Sequence, residues 1–279
     1  MYSVPSLPLS DRVVAITGAS AGIGRATAER LAASGAAVVL SARRADRLDA
    51  IAAEIIARGG RALAVQSDVT QEADMTALVD RAVAHFGRLD VMICNAGIGY
   101  HGPLADTPTH AMRQLVDVNV MGTLYAAHAA MQAMRRQGHG HIIAVSSVAG
   151  RRGVGGSSLY AATKAAQIAF IEALRAEFLG TRFHASVVMP VVTITEFHDT
   201  IARNFGHALR GSGPRQSVEH VARAIERCVI RPRAEVYPYG KAKVLAVLNV
   251  IAPTQIDRFV KRFGRHKPYP PAARDGRDS

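Results

Sequence analysis

From residue 12 onward, short apolar runs rich in β-branched residues alternate with longer, alanine-rich amphipathic ones. Few folds accommodate that rhythm. Repeated strand–helix units build a parallel sheet only when helices cover both of its faces. Residues 13–17, 37–41, 62–66, 91–94, 142–145 and 185–189 read as strands, each short and nearly all apolar, as a strand buried on both sides must be. Residues 23–34, 47–58, 72–86, 109–136 and 158–179 read as the helices between them. The order predicts an α/β, doubly wound parallel sheet.

A sheet of this kind can be filled by 279 residues, so one domain over residues 1–265 is expected, followed by a proline-bearing tail over 266–279 that frays. Hydrophobic residues at 49% and charged residues at 20% exclude a disordered chain. After Pro190 the rhythm breaks. A glycine-rich stretch near 193–215 reads either as a cover over a cleft or as a plain surface loop. A helix over 218–229, a strand over 235–237 and a basic, apolar helix near 241–264, interrupted at Pro253, complete the reading.

The two cysteines, Cys94 and Cys228, are far apart and form no CxxC spacing, so neither a disulfide framework nor a thiolate metal site is predicted. The first ten residues lack the basic and apolar segments of a secretory signal. The longest late apolar stretch, 244–252, contains Asn249 and falls far short of the roughly 20 residues of a membrane span. A cytoplasmic protein is the expectation. The formal charge of +12 is unevenly spread: residues 1–200 carry +2 and residues 201–279 carry +10. No nucleic-acid recognition module accompanies that excess, so no nucleic-acid partner is expected. Two readings of the basic C-terminal helix stay open. One is peripheral contact with an anionic membrane surface or partner; the other is packing on its own sheet or a second subunit, charges facing water.

Directly after the first strand comes Thr17-Gly18-Ala19-Ser20-Ala21-Gly22-Ile23-Gly24, which opens a helix. Glycines there let backbone approach a pyrophosphate, and the free N–H groups of the helix start meet its charge. The end of the second strand selects the dinucleotide, because a carboxylate there grips a ribose 2′-hydroxyl and repels a 2′-phosphate. Ser41-Ala42-Arg43-Arg44 instead offers a hydroxyl and two guanidinium groups. NADP(H) is therefore the preferred cofactor, with NAD(H) as the alternative. Asp68, beside Val69, either faces the adenine amine or caps the next helix. Asn95-Ala96-Gly97 puts small residues where a cofactor must pass closely.

Tyr160 and Lys164 are four residues apart on a predicted helix, which sets phenol and ammonium on one face. A phenol near pKa 10 is a poor acid–base group at neutral pH unless its anion is stabilised, and Lys164 is the candidate stabiliser. Alone this pair is a common surface pairing. Ser146-Ser147 ends a strand 13 residues before Tyr160, and Asn119 sits in Asp117-Val118-Asn119-Val120-Met121-Gly122. Together with the glycine loop and Asn95-Ala96-Gly97, these residues resemble the short-chain dehydrogenase/reductase family in its compact, single-domain Rossmann branch, over about residues 12–195.

The resemblance implies a seven-stranded sheet, a nicotinamide cofactor, a homodimer or homotetramer, and a catalytic tetrad at Asn119, Ser147, Tyr160 and Lys164. Ser147 would hold a substrate oxygen and Tyr160 would protonate it. Lys164 would lower the Tyr160 pKa and bind the ribose, and Asn119 would hold, through its main chain, a water linked to Lys164. The family's spacing selects Ser147; the residues alone leave Ser146 and Ser147 unseparated. Pro190, Thr193 and Thr195 fall where the nicotinamide amide is contacted, although Val191 stands in place of the usual glycine. Cys94, where a second asparagine is frequent, reads as a small core residue.

The implied activity is reduction of a carbonyl, or oxidation of the matching alcohol. The segments expected to line the substrate, around 97–104, 148–159 and 196–215, are apolar or small and favour a hydrophobic substrate. His101, His198 and His207 are scattered loop residues without metal-ligand spacing. The competing class is a non-catalytic NADP(H)-binding regulator or scaffold. Its tetrad would be expected to erode, whereas all four positions are filled.

Overall fold

The computed structural model describes residues 8–193, 195 and 214–263, with side chains as far as 258. Seven strands form one parallel sheet: β1 (Val13–Thr17), β2 (Ala37–Ala42), β3 (Arg61–Gln66), β4 (Val91–Cys94), β5 (Gly140–Val145), β6 (Phe183–Val188) and β9 (Glu235–Val236). Their spatial order is β3-β2-β1-β4-β5-β6-β9. The register is continuous, with Val14 opposite Val38 on one side and Val91 on the other. β7 (Val192–Thr193) and β8 (Arg215–Gln216) pair separately.

The central strands are buried along their whole length. One side of the sheet is covered by α3 (Glu72–Phe86), α5 (Gly122–Gln137) and α6 (Ser158–Glu177), whose buried faces join Ala15, Met92, Ile142 and Val187 in one core. The other carries α1 (Gly22–Ala33), α2 (Ala45–Ala57) and α7 (Val218–Ile230), packed on Val14, Ile16, Val38 and Ile93. Alternate side chains of each strand thus feed opposite cores, which is why the runs read as continuously apolar. Strand order reverses between β1 and β4. In such sheets the crevice beyond the strand ends at the reversal is where ligands bind.

The single helix expected over 109–136 is three segments: α4 (Thr109–Leu115), a π-helical stretch (Val116–Met121) and α5. Periodicity alone reads through such a bulge. Its cause is Asn119, fully buried, whose side chain accepts from the Ile98 N–H at 2.8 Å and donates to the Ile98 carbonyl at 2.9 Å. Meeting the backbone of the chain after β4 on both counts pulls that turn wide.

Beyond β9, α8 (Lys241–Ile251) and α9 (Pro253–Phe263) are separated at Ala252, as Pro253 requires. α8 does not pack its large side chains on the sheet. Its buried Ala246 and half-buried Ala242 and Asn249 face the protein, and Asn249 Nδ2 donates to the Arg151 carbonyl at 3.4 Å. The large aliphatics point out: Val250 is 76% exposed and Ile251 74%. The helix thus rests on its own protein through the small stripe alone, and its large side chains face away. The expected cover over 193–215 and the tail over 266–279 lie almost wholly outside the described residues.

Candidate active site

At the reversal point the loops after β1 and β4 are tied together. Thr17 Oγ1 accepts from the N–H groups of Asn95 and Ala96, both at 3.0 Å, and Asn95 Nδ2 donates to the Thr17 carbonyl at 2.9 Å. The Gly18–Gly24 turn is closed tightly. Gly18 has φ +67°, and a Cβ on Gly24 would stand 2.3 Å from the Gly18 carbonyl oxygen. Only glycine fits such a pocket of backbone. At Gly22 the open side of the loop faces Thr195, whose Cγ2 a Cβ there would meet at 3.2 Å. The loop leads into α1, whose first turn holds no acidic residue. A cavity of about 320 Å³ opens over it, lined by Ser20, Ala21, Gly22, Arg25, Arg47 and Glu54 among others, with Arg25 already paired to Glu29 and Glu54. Ile23 is half-buried behind it. These features fit the diphosphate of a dinucleotide.

At the end of β2 the two arginines differ. Arg44 reaches back to the glycine loop, donating from Nη2 to Ser20 Oγ at 2.8 Å, while the Arg43 side chain is exposed at the rim. Ser41 is not at the surface: it is fully buried, and its hydroxyl shares a 2.5 Å hydrogen bond with Ser67. Its predicted phosphate contact therefore has no geometric support, because a strand-end hydroxyl can point inward as readily as outward. Asp68 caps its own turn, accepting from the Thr70 N–H and hydroxyl at 3.0 and 2.9 Å. Val69 is buried against Gly122. Arg47, on α2, was not singled out in the sequence; a third arginine within five residues was the available signal.

The chemical groups converge one strand further along. Ser146 and Ser147, inseparable by sequence, part company here. Ser146 Oγ donates to the Lys164 carbonyl at 2.8 Å and is buried, an anchor of α6. Ser147 Oγ accepts from the Ala149 N–H at 3.1 Å and is hydrogen-bonded to Tyr160. Tyr160 as a whole is half-buried, but its hydroxyl is enclosed; burial pushes its pKa up to about 12, opposed by the Ser147 hydrogen bond. Beside it lies the Lys164 ammonium, 5.8 Å from the ring centroid and pulled down to about 7 by burial. Lys164 Nζ donates to the Val145 carbonyl and to Gln167 Oε1, both at 3.0 Å.

Asn119 is held among these groups without touching Lys164. Besides its grip on Ile98, its Nδ2 donates to Thr163 Oγ1 at 3.0 Å. Its main-chain carbonyl accepts from Gln167 Nε2 at 2.9 Å and Thr123 Oγ1 at 2.8 Å. Both lone pairs are thereby engaged, so the water that the resemblance assigns to this carbonyl has a side chain in its place. Gln167 went unnoticed in the sequence because a polar residue seven after the tyrosine carries no spacing signature.

Gly97 lies where a Cβ would be 3.5 Å from Lys164 Nζ and 3.2 Å from Asn119 Oδ1, so the cleft floor is open above both. Behind the site stands an apolar wall of buried core, Tyr100, Ala111 and Leu115, against which the half-buried Ile98, Leu159 and Tyr160 are packed. His101 Nδ1 lies 3.1 Å from Ser157 Oγ, tying that wall to the loop before α6, and His198 and His207 fall outside the described residues. The Pro190 carbonyl accepts from the Val148 N–H at 3.1 Å. Val191 is buried with φ below zero, so glycine is not required there. Thr193 Oγ1 donates to the Val191 carbonyl at 3.0 Å. Cys94 is buried and its thiol is pushed up to about 12, which leaves it a packing residue. Among the described residues no cluster of potential metal ligands is found.

Comparison with known proteins gives the site its context. The family model for short chain dehydrogenase matches residues 12–205. An uncharacterized oxidoreductase of Listeria monocytogenes is 39% identical over 197 residues, covering 70% of this chain and 79% of that one. Ketoacyl reductase HetN of Nostoc is 30% identical over 259 residues, covering 92% and 90%. Among solved structures, a short chain dehydrogenase/reductase from Burkholderia phymatum in complex with NAD superposes with a TM-score of 0.79 at 22% identity, over 96% of this chain and 99% of that one. An alcohol dehydrogenase from Thermococcus sibiricus complexed with 5-hydroxy-NADP gives 0.71 at 26%, over 81% and 95%. The sheet with its reversal-point crevice, the Ser147–Tyr160–Lys164 grouping and these matches agree: the chain is a nicotinamide-dependent oxidoreductase belonging to the short-chain dehydrogenase/reductase family.

Proposed function

We propose that the chain is an NADPH-preferring reductase of a carbonyl on a hydrophobic substrate, with Tyr160 as the proton donor. The observation that carries this is the enclosed Tyr160 hydroxyl, hydrogen-bonded to Ser147, with the buried Lys164 ammonium 5.8 Å from the centre of its ring. A bound nicotinamide supplies hydride to the carbonyl carbon. Ser147, positioned by the bond it accepts from the Ala149 N–H, would turn its one proton from Tyr160 to the substrate oxygen, and Tyr160 would give that oxygen its proton. Burial alone disfavours both the tyrosinate and the ammonium. Formed side by side, the two charges stabilise each other, and this attraction is what makes an enclosed phenol a usable acid. Lys164 also faces the space over Gly97 where ribose hydroxyls would lie. Pro190, Thr193 and Thr195 would border the nicotinamide amide, and Asn95, Ala96 and Gly97 the ring's approach. The half-buried apolar side chains of Ile98 and Leu159, packed with Tyr160 on one core cluster, support a hydrophobic substrate.

NADPH preference rests on Arg43 and Arg44 with no carboxylate at the end of β2. Fluorescence titration with NADPH and NADH is the test. Tighter binding of NADPH is expected; tighter NADH binding contradicts this part of the reading, and binding of neither contradicts all of it. The regulator reading predicts cofactor binding without turnover of any carbonyl.

The outward aliphatics of α8 support a second proposal, that this helix lies on an anionic membrane surface. Val244, Leu245, Val247, Leu248, Val250 and Ile251 are all exposed, Lys241 and Lys243 precede them, and residues 201–279 carry +10 of the chain's +12. No helix of the described residues is long and apolar enough to cross a membrane.

A further inference from the structure

We propose that Gln167 is a positioning residue of the catalytic centre: its side-chain amide holds the Lys164 ammonium and links it to the main chain of Asn119, the place a solvent bridge would otherwise take. The inference deepens the reading in which Lys164 serves Tyr160, and rests on it.

Gln167 is 1% exposed, one turn after Lys164 on α6. Its Oε1 accepts from Lys164 Nζ at 3.0 Å, and its Nε2 donates to the Asn119 carbonyl at 2.9 Å and to Thr123 Oγ1 at 2.7 Å. Chemistry fixes the orientation of the amide. An ammonium only donates and a carbonyl only accepts, so the reversed amide would set N–H against N–H and oxygen against oxygen. Thr123 locks the arrangement, since its hydroxyl accepts from Gln167 and donates to the same Asn119 carbonyl at 2.8 Å. Every polar atom of the bridge is therefore satisfied within the protein. A buried network in that state is rigid.

Two consequences follow for Lys164. Of its three N–H bonds, two are spent on Val145 and Gln167, which leaves one for the side facing Tyr160 and Gly97. The oxygens offset the burial that drives the ammonium toward neutrality. Tyr160 is the titratable group facing it, from its own helix; the π-helical stretch contributes neutral Asn119 and β5 a carbonyl. Among the described residues Lys164 forms no ion pair with a carboxylate, its hydrogen-bond partners being Val145 and Gln167. The dipole of Gln167 thus does the work that a counter-ion does elsewhere, without adding a charge that would oppose the tyrosinate.

Lys164 is the single lysine of residues 1–240; the other four are at 241, 243, 261 and 267. Direct titration is therefore practicable. Full-length wild type, Gln167→Leu and Gln167→Glu, labelled with ¹³Cε-lysine, would be titrated by NMR, the Lys164 signal being assigned from its loss in Lys164→Arg. Losing a charge-assisted acceptor should move the Lys164 titration down by about one pH unit in Gln167→Leu. A carboxylate at the same place should move it up in Gln167→Glu. The falling limb of kcat/KM for carbonyl reduction should move with it in each variant. Titration at the wild-type pH in both variants would overturn the proposal, and if Gln167→Leu fails to fold, an unmoved titration in Gln167→Glu does so alone. Movement of the NMR titration in a protein whose Tyr160→Phe form remains fully active would instead overturn the role given to Tyr160.

Discussion

Tyr160 and Lys164 are each buried enough to resist ionisation, and on the proposed reading their proximity couples the two. The sign of the pH dependence follows. Lys164, drawn down to about 7, is charged below that pH and neutral above it, so its support for a developing tyrosinate is lost as pH rises. Carbonyl reduction by the folded enzyme should therefore decline above about pH 7, with NADPH affinity measured in parallel to separate binding from chemistry; a rate rising steadily to pH 9 would contradict the assignment. Arg43 lends itself to a second substitution. Replacing it by Asp should weaken NADPH binding about 10- to 100-fold, the worth of one charge-assisted hydrogen bond, and spare NADH. Equal loss for both dinucleotides would mean that the guanidinium does not read the 2′-phosphate. Residue identity was the most legible layer at the centre and the least legible beside it. Ser147, Tyr160 and Lys164 carry a spacing, whereas Ser41 turned inward and Gln167 was silent, because hydrogen-bond partners distant in sequence leave no local mark.

The strands were readable because both of their faces are covered, which forces unbroken apolar runs such as Val13–Thr17 and Gly140–Val145. The helix over 109–136 was misread because a π-turn preserves helical composition while changing geometry, and its cause, the bond from Asn119 to Ile98, spans 21 residues. β7 and β8, two residues each, lie below the resolution of any periodicity. The glycine loop offers the sharpest test of an element. Gly24→Ala places a methyl carbon 2.3 Å from the Gly18 oxygen, so the turn must shift. A loss of about 1–3 kcal/mol in unfolding free energy, together with weakened NADPH binding, is expected. A variant as stable and as tight-binding as wild type would show that the turn is not the diphosphate cradle.

Viewed whole, the molecule has a crevice where the strand ends lie and an exposed aliphatic face on α8. The charge count located that surface in the C-terminal part of the chain but could not tell which side of the helix would be turned outward. Ala242, Ala246 and Asn249 settle it, since the protein takes the small and polar stripe. Sedimentation with phosphatidylglycerol-containing vesicles is expected for wild type, falling with salt and lost in Leu245→Gln/Leu248→Gln/Ile251→Gln. Absence of wild-type sedimentation, or a triple variant that changes the molecular mass in solution but not vesicle binding, would assign the face to a second subunit instead. Catalysis at Tyr160 is independent of that outcome. Its most direct test is NADPH oxidation against a panel of apolar ketones and aldehydes, wild type beside Tyr160→Phe. Turnover of at least one substrate by wild type, reduced about 100-fold or more in Tyr160→Phe with NADPH affinity intact, is the predicted result; undiminished turnover without the phenol would contradict it.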